Sequence, residues 1–138
     1  HPAGRLGKRL SLYLSDVMRK GEENPKIGPD AKLAEVLKEI TGKGAGATGV
    51  VDENSKLIGL ITDYDIRKYL TSKTLTPDVT AKELMNPNPS AFSPDDKAYD
   101  VLVQMESRER PISVAPVCAK DKTYVGMVLV HDLLQKGL

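Results

Sequence analysis

An α/β fold built from two copies of one strand–helix–strand–strand–helix unit, related by a pseudo-twofold axis, is predicted by three observations in this 138-residue sequence. Short strings recur at a near-constant offset. Asp16-Val17-Met18 returns as Glu83-Leu84-Met85 after 67 positions, Pro29-Asp30 returns as Pro94-Asp95 after 65, and Gly59 returns as Gly126. Apolar residues spaced i, i+3, i+4, i+7 occur once in each copy, the period of a helix with one buried face. Each such run is followed by two short β-branched runs of hairpin character. One copy alone carries too little apolar surface to fold, so the two are expected to bury it against each other.

The first unit spans 15–70. Its long helix is read from Leu33, Val36, Leu37 and Ile40, with Asp30 placed as the N-cap acceptor. Gly44-Ala45-Gly46-Ala47-Thr48-Gly49 is glycine-rich but lacks the Lys and spacing of a phosphate cradle, and reads as a turn into a strand. Ala47 to Val51 and Leu57 to Ile61 form the hairpin around the polar turn Asp52 to Lys56, and Tyr64 to Leu70 closes the unit as a short amphipathic helix. Residues 71–80, rich in Thr, Ser, Lys and Pro, read as a linker. The second unit, 81–138, repeats the order. Ala98, Val101, Leu102 and Met105 follow Asp95 as cap, Ile112 to Val117 pairs with Tyr124 to Val130, and His131 to Lys136 closes the chain.

Composition narrows the function. Twenty Lys and Arg against 19 Asp and Glu, interspersed along the chain, give a net charge of +1 and little long-range pull on a phosphate backbone. Aromatic residues make up 4% with no Trp, so base-stacking platforms are scarce and no nucleic-acid partner is expected. No apolar run is long enough to span a bilayer, so no membrane partner is expected either. The single Cys118 reads as a small buried hydrophobe; it cannot form an internal disulfide, which fits a reducing cytoplasm. Two histidines and one cysteine cannot assemble a Cys/His zinc site, and no metal or cofactor is expected. GxxxxGK[ST], GxSxG, HExxH and GxGxxG strings are all missing.

Asp16-Val17-Met18, Pro29-Asp30, Ile58-Gly59-Leu60-Ile61-Thr62-Asp63-Tyr64-Asp65 and Val125-Gly126-Met127-Val128 resemble the CBS motif, and the chain as a whole resembles a tandem CBS pair, or Bateman module. A narrower likeness joins the opening His1-Pro2-Ala3-Gly4-Arg5-Leu6-Gly7, the string Gly59 to Arg67 and the ending His131-Asp132-Leu133-Leu134. These resemble the C-terminal part of the bacterial arabinose-5-phosphate isomerases, which supply the precursor of the lipopolysaccharide sugar 3-deoxy-octulosonate (Kdo). Ala3 departs from that family's usual glycine. The resemblance implies that residues 1–14 are a connector from an N-terminal sugar-isomerase domain, and that the chain is a regulatory fragment with no catalytic residues of its own. His1 would belong to the site of that other domain. A homodimer or tetramer through CBS packing is also implied.

Thr62, at a strand end, and Asp65, in the first turn of the next helix, are expected to converge on one cleft together with Asp63. A carboxylate can accept two hydrogen bonds from a cis-diol, and a hydroxyl beside free helix N–H groups can meet a phosphate, which suits a ribosyl phosphate. The alternative is that Asp65 complements the helix dipole and Thr62 pairs in the sheet. The resemblance implies a nucleotide or nucleotide-sugar effector, an adenine nucleotide or CMP-Kdo. It places base contacts at Ile27, Gly46, Ala47 and Thr48, and at Pro111, Ile112 and Ser113, although for Ile27 and Ile112 core packing is the better reading. Arg67 either reaches a phosphate or lies on a solvated helix face. In the second unit Leu129 replaces Thr62 while Asp132 keeps the place of Asp65, and His131 is either a donor or a structural residue. That inequality favours one occupied cleft. Three functions remain open at this point: a ligand sensor, a purely structural oligomerisation module, and a catalytic fragment.

Overall fold

A computed structural model of the chain describes residues 7–138. His1 and most of the opening string that carries the isomerase likeness lie outside the described residues. The elements are α1 (Leu14–Val17), β1 (Lys26–Ile27), α2 (Leu33–Lys43), β2 (Ala47–Val51), β3 (Leu57–Thr62), α3 (Asp63–Leu70), α4 (Ala81–Leu84), α5 (Ala98–Ser107), β4 (Val114–Cys118), β5 (Tyr124–Leu129) and α6 (Val130–Gln135). Strands β1, β2 and β3 form one sheet, with β1 parallel and β3 antiparallel to β2, while β4 and β5 form a second, antiparallel pair.

The repeat is carried into backbone detail. Both hairpins shift register at the same place, between Val50 and Val51 and between Val117 and Cys118. Ser55 and Lys122 both adopt positive φ, at 63° and 72°. The pseudo-twofold axis passes between these turns. Lys56 bridges Thr123, Leu57 N donates to Lys122 O at 3.0 Å, and Tyr124 N donates to Ser55 O at 3.0 Å.

Each unit's opening helix completes the other unit's core. Leu14 and Val17 of α1 are buried among Ala98, Val101, Met105, Val117 and Leu133, while Ala81 and Leu84 of α4 are buried among Val36, Ile40, Val50 and Ile61. Backbone bonds fix both exchanges, Leu14 N to Asp96 O at 2.9 Å and Ala81 N to Ala31 O at 2.8 Å. Between the two lies a third cluster made of both units, with Ala47 and Leu60 against Tyr124, Met127 and Leu129.

Four sequence expectations are corrected. Asp30 and Asp95 do not cap the long helices: Lys32 and Lys97 hold the cap positions without a side-chain bond, and Asp96 instead accepts from Ser93 N at 2.9 Å. Leu37 is 42% exposed whereas Leu102, its counterpart, is 5% exposed, because nothing among the described residues covers that side of α2. The second unit's first strand shrinks to one parallel bridge between Phe92 and Val117. In the first unit Gly49 N donates to Pro25 O at 3.1 Å, but the residue matching Gly49 is Pro116, which has no N–H to extend the ladder. Finally, Val130, expected to end the last strand, begins α6.

Candidate ligand-binding cleft

A cleft of about 640 Å³ opens where the two units meet. One wall is the β3–α3 junction, with Thr62, Asp63, Tyr64, Asp65 and Arg67. The opposite wall comes from the second unit: Asn86, Asn88 and Ser90 after α4, and Arg110 to Val114 leading into β4. Ala45, Gly46 and Leu60 form its floor. Gly46 sits at φ 72°, a left-handed conformation that a residue with a Cβ rarely adopts, and so turns the chain sharply into β2 beneath the cleft. The Asn86 segment is held in place by a reciprocal pair of bonds with Leu60, at 2.8 and 3.0 Å.

The local sequence dictates the Thr62–Asp65 geometry. Thr62 ends β3 and is the N-cap of α3, and Asp65 is the third residue of that helix, the spacing of a capping box. Asp65 Oδ2 accepts from Thr62 N at 2.9 Å and from Thr62 Oγ1 at 2.8 Å, and Asp65 N donates to Thr62 Oγ1 at 3.3 Å. The capping role is therefore realised and commits one carboxylate oxygen. Asp65 Oδ1 makes no bond to any described residue, so an acceptor remains at the cleft wall with the Arg67 and Arg110 cations among its neighbours in the lining. A ligand carrying both hydroxyl donors and an anionic group matches that set.

Of the residues anticipated for the site, Thr62, Asp63, Asp65, Gly46, Arg67, Pro111, Ile112 and Ser113 line the cleft. Ala47 and Thr48 are fully buried in β2, and Ile27 packs on the first unit's core, so these three do not line it. His131 is exposed on α6 and Asp132 lies on the pseudo-twofold-related side of the molecule, bonded to Arg19 at 2.8 Å. That hydrogen bond raises the Arg19 pKa above its ordinary value despite partial desolvation, with the charges of Asp132 and Glu23 acting in the same direction. Asn86, Asn88, Ser90, Arg110 and Tyr64 are cleft residues that motif reading did not single out. For Asn86 the available signal was its place directly after the repeated string Glu83-Leu84-Met85.

Residues 14–72 and 81–138 each match the CBS domain family. The chain belongs to that family. As a CBS pair rather than a catalytic domain, it is similar over all 138 residues to the arabinose 5-phosphate isomerase KdsD of Francisella tularensis, at 34% identity. It spans 41% of that relative's length. The same fold is found in a putative acetoin utilization protein (AcuB) from Vibrio cholerae, with TM-score 0.79, 20% identity, and coverage of 93% of this chain and 91% of that one. The CBS pair of protein MJ0100, solved in complex with 5′-methylthioadenosine and S-adenosyl-L-methionine, matches with TM-score 0.74 and 25% identity over 90% of this chain and 94% of its own. No helix among the described residues is long and apolar enough to cross a membrane.

Proposed function

We propose that this chain is the ligand-sensing CBS pair of a cytoplasmic arabinose 5-phosphate isomerase, binding a nucleotide or nucleotide sugar in the Thr62–Asp65 cleft and biasing an attached sugar-isomerase domain. The observation that carries this reading is the uncommitted Asp65 oxygen in an open cleft that also holds Arg67 and Arg110. A cis-diol fits the carboxylate, and a phosphate fits a guanidinium. The nucleoside ligands of the MJ0100 pair and the likeness of all 138 residues to part of KdsD support the ligand class and the setting. Adenine nucleotides and CMP-Kdo are the candidate effectors. Ketose–aldose interconversion needs a base poised over sugar carbons, so arabinose 5-phosphate should not turn over on this chain alone.

Calorimetric titration with AMP and CMP-Kdo is the test. Loss of one partner of a charge-assisted hydrogen bond costs roughly 1.5–3 kcal/mol, so Asp65→Ala should weaken binding about tenfold to a hundredfold, and a 2′-deoxy analogue should weaken it as well. Asp132→Ala should leave this cleft's affinity nearly unchanged. If neither compound binds at millimolar concentration, or if Asp65→Ala binds like the parent, the chain is an oligomerisation module instead.

A further inference from the structure

The Thr62–Asp65 wall and the segment facing it have pseudo-twofold counterparts, and a side chain of this chain joins them. The 67-residue offset maps Asn86 onto Arg19, Thr62 onto Leu129 and Asp65 onto Asp132. The backbone follows the same mapping, because Arg19 bridges Met127 as Asn86 bridges Leu60. What differs is the chemistry. Leu129 has no hydroxyl and α6 has no side-chain cap, so Asp132 is not drawn into a capping box as Asp65 is. Arg19 takes the carboxylate instead, with Nε 2.8 Å from Oδ2 and Nη2 3.4 Å from Oδ1, while Nη1 donates to Lys43 O at 2.9 Å. One guanidinium thus ties the second unit's wall to the first unit's wall. Lys43 is engaged too, its Nζ donating to the Glu22 carbonyl.

We propose that Arg19 is an internal latch: it stands where a second cleft would open, holds the walls together and makes this CBS pair a one-site module. The guanidinium presents a fixed fork of N–H donors to the acceptor that a ligand diol would need, so a ligand must displace it to enter. The pair is sheltered, with side-chain exposures of 23% and 20%, so water screens it less than a pair on the open surface. Asn86, in the equivalent place, is shorter and uncharged, and makes no side-chain bond to Asp65.

The latch separates two proteins by their ligand stoichiometry, and only the parent's own stoichiometry rests on the reading of the first cleft. The 138-residue chain and Arg19→Asn, the residue found at the counterpart position, are titrated calorimetrically with adenosine and with AMP as probes. Arg19→Asn should take up one more equivalent of probe per chain than the parent, and Arg19→Asn combined with Asp132→Ala should return to the parent's value. Whether the parent binds one equivalent or none reports on the first cleft alone. Arg19→Gln, which keeps most of the side chain's stem, gives a second measurement should Arg19→Asn lose its circular-dichroism spectrum. A folded variant with unchanged stoichiometry, or a parent that already binds two equivalents, overturns the latch. Unfolding of both variants overturns it as well, because Arg19 would then hold the core rather than a cleft.

Discussion

Gly59 and Gly126 occupy one position in the two units, yet a methyl group at each would meet different neighbours. At Gly59 it would press on the Met85 side chain, whose Cγ is 2.7 Å from the added carbon, and a thioether can rotate away. At Gly126 it would stand 2.6 Å from the Arg19 carbonyl, which accepts from Met127 N at 3.0 Å. Backbone must therefore shift at Gly126 and only a side chain at Gly59. In urea unfolding, Gly126→Ala should cost about 2–3 kcal/mol and Gly59→Ala about 1, and equal costs would contradict the contacts described. Tyr124 gives a second test at this scale. Its hydroxyl donates to Pro25 O at 2.8 Å, and that carbonyl also accepts from Gly49 N, so Tyr124→Phe leaves no orphaned acceptor and should cost about 0.5–1.5 kcal/mol. Burial pushes the Tyr124 phenol well above its ordinary pKa. The unfolded chain therefore ionises first, so this residue's contribution to stability is full below about pH 10 and falls as pH rises further. Tyr124→Phe should flatten that alkaline decline.

The exchange of opening helices makes a prediction about elements. Leu14 is fully buried on α1, but its neighbours are Val101, Met105 and Leu133 of the second unit. Leu14→Ala should cost about 2–5 kcal/mol. Native-state hydrogen exchange should show protection lost first in α5 and β5, with α2 spared; earlier loss in α2 would sink the exchange. The sequence made the hairpins legible because their period and turn residues are local, and Ala47–Val51 appears with the bounds read from it. The swap was not legible, since periodicity says which face of α1 is apolar and nothing about which core receives it. Asp30 failed as a cap for a related reason: the helix starts two residues later than the Pro-Asp pair suggests, at Leu33. In the cleft, Thr62 and Asp65 were legible as a strand end followed by a first helical turn. Asn88, Ser90 and Arg110 were not, because they are exposed polar residues on loops that only the pairing of the two units brings opposite Asp65.

The pseudo-twofold axis relates the two units' cores more closely than their surfaces. Near the axis Lys56 reaches across to Asp121 at 2.9 Å, and this hydrogen bond is the main cause that holds the Asp121 carboxyl below the usual carboxylate range. Its stabilising effect is present above about pH 4 and lost as the pH falls towards its folded value, so Asp121→Asn should be less sensitive to acid than the parent. Farther out, the two long helices both keep large apolar residues in solvent: Leu37 on α2 is 42% exposed, and Tyr99 and Val103 on α5 are 42% and 45% exposed. An isologous contact through either helix would bury the same apolar patch from both copies. A specific interface takes about 800 Å² per partner, roughly a tenth of the 8209 Å² that this chain exposes. We therefore expect at least a dimer in solution. Light scattering across a concentration series should give a mass above that of one chain, and Val103→Glu or Leu37→Glu, each placing a charge in the contact, should shift it towards the monomer without changing the circular-dichroism spectrum. A parent that stays monomeric up to roughly millimolar concentration would remove the dimer while leaving the pair of units, and the cleft between them, intact.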